Sequence, residues 1–326
     1  MYHPESYATA LAFMIVTMIA WGSWANTQKL VPHFPFQLYY WDYVAGMLGF
    51  MVIAGLVMGS GPLLHDLASA RPSAFLFALA GGAVFNIANL LLVAAIAISG
   101  LAVAFPVGIG LALVVGVALN YAIEPKGHPV LLFAGVALVL AAIVVDALAY
   151  RLRGDAERRE TGRGLRLALL CGVLMGLFYP LVAHAHSGPE GLNGYAVGIV
   201  FALGVLLCAL PVNSILMRRP LTNEPPTGFR AYRAASAGTH GCGLLGGAIW
   251  GCGFLLSILA ADTALVGPAV SYAIGQGATM VSAVWGVFVW REFSGAPRAS
   301  RLLLAPMFAL FVVGLLMVAA APLYGQ

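Results

Sequence analysis

Ten long, solid apolar runs govern what this chain can fold into: residues 7–25, 38–58, 74–98, 101–121, 130–150, 165–185, 193–217, 238–260, 267–289 and 302–322. About 20 apolar residues as a helix cross the hydrocarbon of a bilayer. The runs do not alternate apolar with polar, which excludes a transmembrane β-barrel. Only 151–164 and 218–237 could hold much chain outside a membrane. Composition agrees, with 9% charged residues, 61% hydrophobic residues and a mean hydropathy of +0.94, against about 25% charged in a soluble domain. The expected fold is an all-α membrane protein of about ten transmembrane helices.

The charges are too few and too spread to grip nucleic acid, since the net charge is only +4 and no basic run lies inside an apolar segment. Disorder and a disulfide scaffold are excluded by the same composition. Cys171, Cys208, Cys242 and Cys252 all fall within apolar runs without metal-finger spacing, so they are expected to be packing residues. The amino end MYHPESYATA holds Glu5 and no Lys or Arg, unlike the positive start of a cleaved signal peptide.

Loop charges set the orientation. The connections after runs 1, 3, 5, 7 and 9 hold fourteen of the sixteen basic residues, and the others hold only Arg71 and Lys126. The positive-inside rule then places both termini outside and the Arg-rich 151–164 loop in the cytoplasm of a multi-pass plasma (inner) membrane protein.

The two halves echo each other. GGAVF at Gly81 pairs with GGAIW at Gly246, Pro106 with Pro268, Glu124-x-x-Gly with Glu292-x-x-Gly, and DYVAG around Tyr43 with GYAVG around Tyr195. Two five-helix repeats, 1–150 and 165–326 joined by the 151–164 linker, are the expected organisation. An odd number of helices inverts the second repeat relative to the first. Inverted repeats mark alternating-access transporters, whose substrate site lies near the midplane between the halves; a duplicated scaffold that transports nothing is the bland alternative.

Polar residues in such runs are costly and need partners. Asp42, inside run 2, reads either as a proton-coupling or gating carboxylate, with Tyr43 beside it, or as a structural partner of Lys29 or a tyrosine. Asn86 and Asn89 lie three apart in run 3 and share a face, which suggests pocket lining; Gln276 with Tyr272 one turn before it is a similar case. Trp24, Tyr179 and Trp250 are the aromatics expected around a ligand, whereas Trp285 and Trp290 suit an interfacial belt. Glu124 and Glu292 are expected to tie helix ends to neighbouring loops, and Asp146 and Asp262 to be interfacial. Pro106, Pro180 and Pro268 are candidates for helix breaks that free carbonyls toward a cavity.

Other signals mislead. Gly241-Cys242-Gly243-Leu244-Leu245-Gly246 matches a dinucleotide fingerprint, but no strand precedes it; Gly243, Gly247 and Gly251 instead make a smooth face for close helix packing. His184 and His186 lack a ligand cluster and are expected to be solvated, with no metal. No nucleophile–base pair or phosphate loop is present, so neither an enzyme nor a cofactor is expected.

The ten helices, the five-plus-five pattern and the paired Pro and Glu-x-x-Gly positions resemble the drug/metabolite transporter superfamily. The opening is similar to that of ureide permeases. Met1, Tyr2, Glu5, Ser6, Gly22, Trp24, Tyr40, Asp42 and Tyr43 fall on that family's pattern, while Ser23, Ala25 and Trp41 depart from it. The long central loop of plant members is reduced here to 151–164. The compact size and Gly22-Ser23-Trp24 are also similar to bacterial glucose/ribose porters. The resemblance implies a permease for a small polar, mostly neutral, ureide- or nucleobase-like substrate. Its partners would be that substrate, a proton or another coupling ion, and lipid, with a homodimer as one assembly. A sugar porter and an exporter of small metabolites or drugs are the other transport readings. No strongly placed acidic pair lies at the midplane, which disfavours an exporter of cationic drugs.

Overall fold

A computed structural model describes residues 4–154, 161–188, 190–222, 224–263 and 266–324. Among these, the regular structure is helical, and ten helices are long and apolar enough to cross a membrane. Spans 1 to 5 are Tyr7–Lys29, Phe36–Gly59, Pro72–Ser99, Val103–Ile123 and Pro129–Leu152. Spans 6 to 10 are Gly162–His186, Gly194–Arg218, Ala237–Ala261, Gly267–Val289 and Arg298–Leu323. Each contains one of the ten apolar runs, displaced by a few residues at the ends. Residues 155–160 of the expected linker, with Arg158 and Arg159, lie outside the described residues, as do Met1 and Tyr2.

Local chemistry starts and stops the helices. Ser6 and Ser236 cap spans 1 and 8 by accepting from the amides of Thr9 and Thr239, and Asn193 caps span 7 by accepting from Tyr195 and Ala196. Pro72 and Pro129 open spans 3 and 5, where a missing N–H costs nothing. Gly100 alone separates the helix Pro72–Ser99 from Leu101–Ile123, and its φ of 81° is the left-handed value that lets the chain reverse in one residue.

Glycine also sets how closely spans approach. A Cβ on Gly247 would lie 1.8 Å from Tyr43 O, and one on Gly46 would lie 2.0 Å from Leu244 O, so spans 2 and 8 touch backbone to backbone. Gly243 and Gly251 face the same helix, against Asp42 and Phe50, as the i, i+4, i+8 spacing predicts. Gly82 and Gly204 do the same for spans 3 and 7, against Phe201 O and Leu79 O. The principal pairings between spans that are not neighbours in the chain are 3 with 6 and 7, 8 with 1 and 2, 4 with 6, 9 with 1, 5 with 10, 2 with 7, and 4 with 9. The four cysteines are free.

Spans 1 and 9 are each interrupted, but not at the expected prolines. Pro106 and Pro180 sit inside unbroken helices, and Pro268 occupies the first turn of its own. Lipid-depth neighbours satisfy the carbonyls a proline frees, so proline alone need not break a membrane helix. The interruptions fall at Trp24–Ala25, between Tyr7–Ser23 and Asn26–Lys29, and at Gln276–Gly277, between Gly267–Gly275 and Ala278–Val284. At both, i→i+3 bonds (Thr27 N–H to Trp24 O, Gly277 N–H to Ile274 O) replace the regular ladder.

Candidate transport cavity

Both interruptions face one cavity of about 400 Å³, which runs from the middle of the bundle to one end. Its inner wall includes Asn89, ten residues (99 − 89) from the end of span 3, hence about 15 Å deep at 1.5 Å per residue, or half of a ~30 Å hydrocarbon core. Its outer wall includes exposed Ala25 and Lys29, so it reaches the surface on the side of the connections after spans 1, 5 and 9.

Of the residues singled out in the sequence, Trp24, Asn89, Trp250, Gln276 and Glu292 line it. Trp21 stacks on Trp250 at 5.7 Å and donates its indole N–H to Trp250 O, which fixes two of the aromatic walls. Asn89 is buried with its amide N–H₂ unpartnered among the described residues, and Thr279 and Ser282 add hydroxyls. The site is therefore a set of amides and hydroxyls among flat aromatic faces.

Asn86, Tyr179 and Tyr272 are not in the lining. Three residues turn a helix through about 300°, so Asn86 points about 60° away from Asn89, far enough to reach span 2, where its carbonyl accepts from Tyr40 OH at 3.0 Å. Tyr179 and Tyr272 pack together at 5.2 Å behind the wall. The Tyr179 hydroxyl shares a hydrogen bond with Ser257 at 2.8 Å, and Tyr272 donates to Ala112 O and Met175 O at 3.2 Å.

Asp42 is also outside the lining. It accepts from Tyr232 OH at 2.5 Å on one oxygen and bonds His240 Nδ1 at 2.7 Å on the other, joining span 2 to span 8 and to the short helix Phe229–Ala234. A tyrosine partner was expected, but Lys29 is not the cation, because it binds Glu292 at 2.7 Å. Burial, with the hydrogen bond and charge of Asp42, pushes the Tyr232 hydroxyl up to about 12. Tyr43 connects this cluster to the cavity through ring contact with Trp24 at 4.9 Å.

Glu124 pairs locally with Lys126 at 2.7 Å. Glu292 is the hub of a larger group: Lys29, the Tyr150 hydroxyl at 2.6 Å and Arg153 at 3.7 Å all converge on it. Burial opposes its ionisation, but the hydrogen bonds from Lys29 and Tyr150 and the charges of Lys29 and Arg153 outweigh that and hold it below its ordinary value. Trp285 and Trp290 donate to Ser23 and Asn26, tying span 9 to the end of span 1.

Two expectations change. Asp146, expected near the interface, is buried in the protein and lines the cavity. The signal was present in the sequence: Asp146, Tyr150 and Arg153 stand at i, i+4 and i+7, one face of one helix. His186 is not simply solvated, because it bonds Asp262 at 2.8 Å and Leu192 O at 2.7 Å at the opposite end of the bundle. Only exposed His184 remains of that pair, with its ring edge against Phe77.

Residues 39–163 and 156–321 match the ureide permease family. Ureide permease 1 of Arabidopsis thaliana is 25% identical over 98% of this chain and 99% of its own length. Ureide permease 2 of the same plant is 24% identical over 96% of each. The first alignment runs over 391 residues against 326 here, so that relative carries at least 65 residues (391 − 326) that this protein lacks. One crystal structure, 17% identical, aligns over 96% of this chain and 98% of its own with a TM-score of 0.60, which speaks for the fold alone. Ten apolar spans, an aromatic and amide-lined cavity between them, and a family match along nearly the whole chain together make this protein a multi-pass membrane permease, not an enzyme, that belongs to the ureide permease family.

Proposed function

We propose that this chain moves a small polar, mostly neutral solute of the ureide or nucleobase-like class across the plasma (inner) membrane, by alternating access and at the expense of a proton gradient. The observation that carries the reading is the cavity lining. A ureide is flat and edged with N–H donors and C=O acceptors; the amides of Asn89 and Gln276 offer both donor and acceptor, and Trp21, Trp24 and Trp250 offer stacking faces. The names of the relatives support the same class.

The helix pairings support two inverted halves, 1–150 and 165–326. A shift of five spans turns 3 with 6 into 8 with 1, 3 with 7 into 8 with 2, and 4 with 6 into 9 with 1, while 2 with 7, 4 with 9 and 5 with 10 map onto themselves. Interrupted helices at the cavity also suit a transporter. With the basic connections in the cytoplasm, the cavity is inward-open, and the His186–Asp262 pair closes the outer side. Asp42 and Tyr43 then serve in gating, on the inner side.

Uptake of labelled allantoin by cells expressing the protein tests this, with a protonophore and with uracil and glucose as unlabelled competitors. Protonophore-sensitive uptake displaced by uracil and not by glucose is the expected result. A correctly inserted protein that takes up no allantoin would overturn the substrate assignment.

A further inference from the structure

We propose that Asp146 is the carboxylate that binds the coupling proton, so that Asp146 rather than Asp42 links the permease to the gradient; this rests on the proton-driven reading above and deepens it. Asp146 lies six residues (152 − 146) inside the end of span 5 and is only 5% exposed. Asp146 lines the same cavity as Asn89, Trp24 and Gln276. One of its oxygens is wholly buried without a hydrogen-bond partner, and neither oxygen makes a hydrogen bond or salt bridge among the described residues.

An unpaired anion at such a position is expensive, at about 2.5–3.5 kcal/mol near the centre of a bilayer and less toward its edge. Nothing the structure describes offsets it. The salt bridges of Lys29 and Arg153 and the hydroxyl of Tyr150 go to Glu292, and none of the three bonds Asp146. Asp146 is thus a group that is comfortable only with something bound, and the smallest such ligand is a proton. Asp42 is the opposite case, since Tyr232 and His240 already hold both of its oxygens.

The remaining titratable neighbours do not change this. Arg298 and Arg301, at the start of span 10 where it packs on the end of span 5, are exposed. Span 4 brings only Tyr121, whose ring meets Phe133 edge to face toward the other end. The step balances simply: the carboxylate takes a proton from water on the loading side, forming one O–H bond. That bond breaks when the proton leaves on the other side, and nothing is oxidised or reduced.

The test uses the full chain in liposomes, as wild type, Asp146→Asn and Asp146→Glu, with allantoin as the probe. Exchange of labelled for unlabelled allantoin and proton-driven accumulation are measured separately. Infrared difference spectra between acidic and alkaline buffer read the protonated carboxyl band without any substrate. Asp146→Asn is expected to retain measurable exchange of allantoin, to lose gradient-driven accumulation down to the level without a gradient, and to lose the carboxyl band; Asp146→Glu restores both in part. Accumulation unchanged in Asp146→Asn, or the absence of any carboxyl band that depends on residue 146, overturns the proposal. Loss of exchange together with accumulation in both variants, with protein that is monodisperse and inserted, makes Asp146 a substrate ligand and overturns it too. A wild type that moves no allantoin defeats the substrate assignment alone, and the infrared measurement still decides on Asp146.

Discussion

Asp42 and Asp146 are buried to nearly the same degree, 3% and 5% exposed, and their surroundings differ in kind. Asp42 sits at the seam of spans 2 and 8, where Gly243 presses so close that a Cβ there would lie 2.4 Å from the Asp42 Cβ. Tyr232 and His240 occupy its two oxygens. Asp146 faces a cavity and has no such partners among the described residues. Depth of burial therefore does not separate the two carboxylates; satisfaction does. A satisfied buried anion has already been compensated by the fold, and removing it strands its partners. An unsatisfied one is a standing cost, and removing it relieves the fold.

The largest expected effect follows from that asymmetry. Asp42→Ala leaves the Tyr232 hydroxyl and His240 without their acceptor, and should cost about 3 kcal/mol, toward the low end for breaking a buried pair. Asp146→Asn should leave stability unchanged or raise it. Thermal unfolding of the purified proteins in detergent, followed by tryptophan fluorescence, compares the two directly. Equal destabilisation by both substitutions would break the distinction.

A smaller effect sharpens the Asp42 side alone. Gly243→Ala places a methyl group against the Asp42 Cβ and Tyr39 O, at 2.4 and 3.2 Å, so spans 2 and 8 have to part or Asp42 has to leave His240. Overpacking of this kind costs about 1–3 kcal/mol. Gly241→Ala, two residues away on the same helix with nothing within 4 Å of its added Cβ, should be silent in the same unfolding measurement.

How much of this the sequence announces differs between fold and site. The ten spans and the glycine seam are legible because hydrocarbon demands long apolar helices and because close packing demands i, i+4, i+8 small residues. Trp24, Asn89, Trp250 and Gln276 were legible as costly or conspicuous groups at lipid depth. The failures share one cause, which is that a single helix does not state what faces it. Asn86 and Asn89 look equivalent on their own span, and only the surrounding helices tell them apart, leaving Asn89 in the cavity lining and Asn86 behind it against Tyr40. Lys29 looks like the nearest cation to Asp42 along the chain, yet Glu292, from the far end of the sequence, takes it. Asp146 lies close enough to a helix end to pass as interfacial, and only the cavity beside it says otherwise.

Glu292 stands between the two extremes and gives the smallest and most graded test. It lines the cavity as Asp146 does, but it is partnered as Asp42 is, by Lys29, Tyr150 and Arg153. Its folded-state value lies below the ordinary 4.5, because those partners outweigh the burial that opposes its charge. A carboxyl with a depressed folded value binds protons more tightly in the unfolded chain, so stability rises with pH through that range. The contribution is therefore complete above the ordinary value and is lost as pH falls through the folded one. Lys29 is half exposed, at 48%, so screening keeps the contribution to about 0.5–1 kcal/mol and high salt should erode it. Unfolding temperatures measured against pH should fall more steeply below the ordinary value for the wild type than for Glu292→Gln, and the two curves should converge at the acid end. Parallel curves would mean that Lys29 and Arg153 gain as much from solvent as from Glu292, which would place Glu292 with Asp146 among the unsatisfied groups rather than with Asp42.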